Sequence, residues 1–200
     1  MIYIDQLPDG LRPYIQYIKD VKADGNCGFR AVADLLGFGQ DSWARIRKDL
    51  QRELHCHSEL YRTLYAIEGR VEEIAHALSY LEDCPPVDRW MTMPDMGHLI
   101  ASCYNVVLYH LSLQQCLTFL PLKLVAPTFL SRRDIAIAFV NGNYFVEVLS
   151  NQLLVTLIEY YCLLILYFVG VPYAGSSCNS SSDQLDEISS TLCFRVGKFI

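Results

Sequence analysis

The sequence predicts an α+β domain, with helices in its first part and a small sheet after them. Three observations carry that expectation. Apolar residues recur at three- and four-residue steps through 43–54, 71–81 and 96–103. After Cys103 the pattern shifts to short runs rich in β-branched and aromatic residues. Between the last two of these runs stands Asn141-Gly142, a strong two-residue hairpin signal.

Taken in order, the first twenty residues read as an arm leading to a short strand, Ile15 to Val21. Cys27 to Leu36 reads as a helix stopped by Gly37 and Gly39. Asp41 or Ser42 is the expected N-cap of the next helix, whose Trp43, Ile46, Leu50 and Leu54 form one buried stripe. Val71, Ile74, Leu78 and Leu81 repeat that pattern and end before Pro85-Pro86. Pro94 opens another helix, where its missing N–H costs nothing, with Met96, Leu99, Ile100 and Cys103 inward. Tyr104 to His110, Cys116 to Leu120, Ile135 to Val140 and Tyr144 to Leu149 follow as strands of a mostly antiparallel meander.

Length and composition bound what such a domain does. Two hundred residues, 52% hydrophobic and 19% charged, describe one globular domain with a core rather than a disordered chain. A net charge of −6 with scattered basic residues argues against a nucleic-acid surface, so proteins are the expected partners. The eight cysteines are irregularly spread without a CxxC pair, and Met1 to Tyr14 carries no secretory signal. Free thiols in a reducing compartment, cytoplasmic or nuclear, are therefore expected. His55-Cys56-His57 lacks a second ligand pair, and its residues point in different directions on a helix, so no metal is expected there.

One cysteine stands apart from the others. In Asp24-Gly25-Asn26-Cys27-Gly28-Phe29-Arg30, turn formers lead directly into Cys27, and an apolar-periodic helix begins at it. A thiol at a helix N-terminus meets unpaired N–H groups and the positive end of the helix dipole, which lower its pKa. The same amides are placed to stabilise an oxyanion beside the sulfur.

This stretch resembles the nucleophile motif of the ovarian tumour (OTU) family of cysteine proteases, which are mostly deubiquitinases. Trp90, the helix from Pro94 to Tyr104 and the strand Asn105 to His110 resemble the family's middle block. Ile135 to Val148 resembles its last block, and the likeness covers roughly residues 10 to 150. The wording of Trp90-Met91-Thr92-Met93-Pro94-Asp95-Met96-Gly97-His98 is closest to plant OTU-like proteins associated with transposon-derived genes. The resemblance implies an OTU-type, papain-like fold over residues 1–150, without metal or cofactor, acting on ubiquitin or ubiquitin-like conjugates. Cys27 would be the nucleophile, and Asp24, with the loop at Gly25 and Asn26, would shape the oxyanion site.

The base is where the sequence departs from the family. The family's last block carries a Gly-Asn-His-aromatic step; here it is Gly142-Asn143-Tyr144-Phe145. Tyr144 thus stands at the expected histidine position, and Val146 at the place of the polar residue that commonly orients that histidine. A phenol with a pKa of about 10 is a poor proton acceptor near neutrality. All five histidines precede the hairpin; His98 reads as a partly exposed helix residue and His110 as a strand-end residue. The expected function is a catalytically impaired OTU domain. The alternatives are a pseudo-protease that binds ubiquitin or another protein, and a transposon-derived remnant.

Residues 151–200 do not fit the domain. The apolar run 153–171, interrupted by the single charge Glu159, is long enough to span a bilayer and precedes a Ser-rich tail. A membrane anchor, a buried helix or strand, and an aberrant C-terminus are the three readings of this segment.

Overall fold

Residues 2–122 and 133–150 are described by the structure, a computed structural model. The run 153–171 and the tail behind it lie outside them. Among the described residues, no helix is long and apolar enough to cross a membrane.

Among the described residues, five α-helices lie between residues 27 and 104: α1 (Cys27–Leu35), α2 (Trp43–Cys56), α3 (Ser58–Tyr65), α4 (Arg70–Leu78) and α5 (Asp95–Tyr104). The five strands are β1 (Ile15–Lys19), β2 (Val106–Leu111), β3 (Leu117–Phe119), β4 (Arg133–Val140) and β5 (Tyr144–Ser150). They form one sheet in the order β1-β5-β4-β2-β3. The expected meander is only partly correct, because β2 and β4 run parallel, from Val106↔Arg133 to Leu111↔Ala138. The other pairs are antiparallel.

Both faces of the sheet are covered, which is why every residue of β2 is buried. Its alternation separates two apolar clusters. Val106 and Leu108 join the helices, with Phe29, Ile46, Leu50, Leu99 and Phe145. Val107, Tyr109 and Leu111 face the other way, with Leu7 of the N-terminal arm and Val146 and Val148 of β5. The arm is also tied by its side chains. Gln6 donates to Asn141 Oδ1 at 2.8 Å and accepts from the Asn141 N–H at 2.6 Å.

The hairpin between β4 and β5 has one residue more than Asn-Gly alone suggests. Val140 pairs with Tyr144, so three residues lie between them; Asn141 (φ 56°) and Gly142 (φ 74°) take the left-handed conformations. Trp43, Ile46, Leu50 and Leu54 of α2 are buried as expected. Ser42 does precede α2, but its hydroxyl donates to Phe38 O at 2.8 Å instead of capping the helix. In α4, Val71, Ile74 and Leu78 are buried; the helix stops at Leu78, leaving Leu81 exposed. α3 is an additional helix that the periodicity does not separate from its neighbours; its Tyr61 is buried and stacks on Tyr65.

Candidate active site

The chain leaves β1 and reaches α1 through a loop that its own side chains stiffen. Asp24 accepts the Asn26 N–H at 3.0 Å, closing a turn of the kind aspartate favours. The same buried carboxylate holds Arg30, one turn into α1, with Nη2 at 2.6 Å and Nε at 3.0 Å from Oδ2. Burial works to raise the Asp24 carboxyl, but Arg30 and the Asn26 N–H outweigh it and hold it below its ordinary value. Gly25 sits at φ +81°, and a Cβ there would meet Trp90 Nε1 at 2.7 Å and Pro85 Cγ at 3.0 Å. Only glycine fits both the turn and the close approach.

Cys27 is the first residue of α1 and is 6% exposed. Its Sγ accepts the backbone N–H of Phe145 at 3.4 Å, which joins the start of α1 to β5. The expected lowering of the thiol pKa is reversed. Burial pushes Cys27 up from its ordinary value, and Asp24 adds to the rise. The N–H groups of Phe145, Gly28 and Cys27 itself pull the other way without overcoming it. The amides act as anticipated, but a nearly closed site favours the neutral thiol more strongly.

Tyr144 opens β5, one peptide from the N–H on Sγ. Its hydroxyl contacts Asp20 Oδ1 at 2.5 Å and the Val21 carbonyl, both in the segment before the loop. Its ring meets that of Tyr3 edge-on, with centroids 6.2 Å apart. Burial and the Asp20 carboxylate both push the phenol further up from its ordinary value. Val146 is fully buried in the arm-side cluster. The position where a base is expected therefore holds a hydroxyl anchored to the main chain, with an apolar residue two places on.

No protein-family model matches the sequence, and no curated protein matches it. Solved structures do. The OTU domain of OTUD1 matches with a TM-score of 0.50 and 18% identity, over 67% of this chain and 85% of that one. The viral OTU domain protease from Qalyub virus gives a TM-score of 0.52 and 11% identity, over 70% and 87%. The Hazara virus OTU bound to ubiquitin gives 0.50 and 12%, over 71% and 85%.

The chain has the OTU fold. At these identities the likeness is one of architecture, and these neighbours lend no support to the finer resemblance to plant transposon-associated proteins.

Within this OTU fold, His98 and His110 are both core residues. His98 is 4% exposed, not partly exposed as expected, and stands edge-on to Phe119. His110 lies inside β2 beside Phe139 and Phe145. His98 Nδ1 and both ring nitrogens of His110 have no hydrogen-bond partner. Burial pulls each imidazole down to about 4, so both are neutral near pH 7 and weak as acceptors. Among the described residues, no group of three His, Cys, Asp or Glu is placed to hold a metal ion. Cys27, Cys56, Cys84 and Cys116 are free thiols.

Sequence reasoning missed two groups near the site. Arg47 is fully buried in the stripe of α2 and bonds to Asn26. Its position four residues after Trp43 was a usable signal, because the helical period puts it on the buried face. The second group is Lys19, Asp34 and Glu147. Lys19 pairs with Asp34 and stands 3.7 Å from Glu147, a buried carboxylate on β5. Burial pushes Glu147 up to about 8; Asp34 adds to the rise and Lys19 opposes it. No local pattern marks this cluster, since its members come together only through tertiary packing.

Proposed function

We propose that this chain is a ubiquitin-directed OTU cysteine-protease domain whose catalysis is impaired at the general base. The OTU fold supports the class, and the Hazara virus neighbour, itself bound to ubiquitin, supports the partner. The carrying observation is the Tyr144 hydroxyl, engaged by Asp20 and Val21 where a base is expected. Cleavage by Cys27 would require the thiol proton to be taken up and later delivered to the leaving amine. Tyr144 holds its proton near neutrality, and its hydroxyl is bound elsewhere. Acylation is therefore slow, and ubiquitin or a ubiquitin-like conjugate is held longer than it is turned over. At the limit of no turnover this becomes a pseudo-protease, a reading favoured by the nearly closed, neutral thiol. A cytoplasmic or nuclear site of action suits the free thiols.

A ubiquitin probe with a C-terminal electrophile, applied to wild type and Cys27→Ala beside an active OTU protease, tests this. Slow labelling abolished by Cys27→Ala is expected, with non-covalent ubiquitin binding retained by that variant. Labelling as fast as the active control overturns the impairment. Absence of both labelling and binding overturns the ubiquitin-directed reading.

A further inference from the structure

Arg47 is a charged residue in a place where charge is costly. It is fully buried in the middle of α2. Nε and Nη2 both donate to Asn26 Oδ1, at 3.0 and 2.8 Å. Nη1 donates to Ala77 O at 2.8 Å, near the end of α4, and Nη2 to Arg89 O at 2.9 Å, the residue before Trp90. The guanidinium lies 3.9 Å from the centre of the Phe29 ring on α1. All these oxygen acceptors are neutral, and burial, with the nearby Arg89 charge, pulls Arg47 down to about 10. A leucine or methionine would fill a core stripe at lower cost. What those residues could not do is fix the Asn26 carboxamide.

That carboxamide has an unusual remainder. With Oδ1 turned to Arg47, Asn26 Nδ2 is left buried with no hydrogen-bond partner. An orphaned donor of this kind calls for an explanation, and this one belongs to the residue directly before Cys27. Negative charge developing on a carbonyl oxygen attacked by Cys27 would satisfy it.

We propose that Arg47 is the positioning residue of this site, orienting Asn26 so that its free Nδ2 is a donor to the oxyanion formed at Cys27. The assignment rests on reading Cys27 as the nucleophile. It does not depend on Tyr144 or on recognition of ubiquitin.

Two reagents separate this role from a merely structural one. With p-nitrophenyl acetate, the Cys27 thiolate attacks the carbonyl carbon through a tetrahedral oxyanion. Nitrophenolate then departs with the bonding pair, leaving the acetyl thioester, and the thiol proton goes to water. This leaving group needs no general acid. Iodoacetamide alkylates the same sulfur by displacement of iodide, without an oxyanion. Rates would be measured for full-length wild type, Arg47→Lys, Asn26→Ala, Asn26→Asp and the double variant Arg47→Lys/Asn26→Ala, each corrected with Cys27→Ala for the other cysteines.

The expected result is a loss of acylation of about tenfold or more in each single variant, with alkylation changed much less. The double variant should be no slower than the slower single one. Equal losses with both reagents overturn the proposal, as do losses that multiply in the double variant. Asn26→Asp keeps a partner for Arg47 but removes the donor, so it decides the matter if Arg47→Lys does not fold. Acylation of Asn26→Asp at the wild-type rate overturns the proposal. If wild type shows no Cys27-dependent acylation, the nucleophile reading fails with it; failure confined to the variants leaves that reading standing.

Discussion

Replacing Tyr144 by histidine turns an anchor into a proton acceptor, and the size of the gain follows from the site. A phenol of pKa about 10 is ionised in roughly one molecule per thousand at pH 7, and Tyr144 lies above its ordinary value. An imidazole of pKa about 6.5 is neutral in roughly three molecules of four at that pH. General-base assistance contributes about 10²–10⁴-fold. Val146 offers the ring no orienting hydrogen bond, so the lower end, ~10²-fold in kcat/KM, is expected for Tyr144→His. The exchange also carries a cost. The hydroxyl's bond to the Asp20 carboxylate and the edge contact with Tyr3 are lost, together about 2 kcal/mol at this half-buried position. That lowers the melting temperature by roughly 4–8 °C.

The assay is release of a fluorophore from a ubiquitin C-terminal amide, with Cys27→Ala in the Tyr144→His background as the blank. Tyr144→Phe gives the hydroxyl's share of the stability loss without the rate gain. A folded Tyr144→His protein that binds ubiquitin yet gains less than tenfold refutes the placement of Tyr144 at the base position.

Three further outcomes are expected. Asp24→Ala leaves Arg30 buried without its main partner; the loss should be about 3–5 kcal/mol in urea unfolding, and a loss no larger than that of Lys22→Ala contradicts it. Gly25→Ala combines a positive φ with a 2.7 Å approach to Trp90, costing about 2–4 kcal/mol. Gly10→Ala, with open space around it, should be close to neutral. Glu147 keeps a proton in the folded chain that the unfolded chain releases above about 4.5. Its stabilising contribution is therefore complete below that pH and is lost as the pH rises towards 8. Glu147→Gln, which resembles the protonated form, should flatten the pH dependence of stability across that window, and an unchanged slope rejects the assignment.

Local signals made much of this molecule readable from its sequence. The stripe on α2 and the turn formers before Cys27 each placed an element because the information sits within a few residues. The parallel pairing of β2 with β4 was not readable, since nothing inside either run records which strand lies beside it. The direction of the Cys27 shift was misjudged for a related reason. The helix N-terminus is local and visible, whereas the burial that outweighs it is tertiary; Met91 and Phe145, distant in sequence, crowd the Gly28 position next to Cys27. Arg47 and Glu147 escaped notice because charged residues read as solvent-facing until packing closes around them. Tyr144 was readable as a departure from a pattern, but its attachment to Asp20 and Val21 was not.

That attachment makes Tyr144 costly to replace. Histidine and tyrosine codons differ by a single base, so the exchange is mutationally easy in both directions. Energetically it is lopsided, because the phenol fastens the start of β5 to the segment ahead of the nucleophile loop. An imidazole in its place would loosen the strand that delivers the Phe145 N–H to sulfur. The Tyr144 contact thus works as a clasp, and selection for a stable fold favours keeping it.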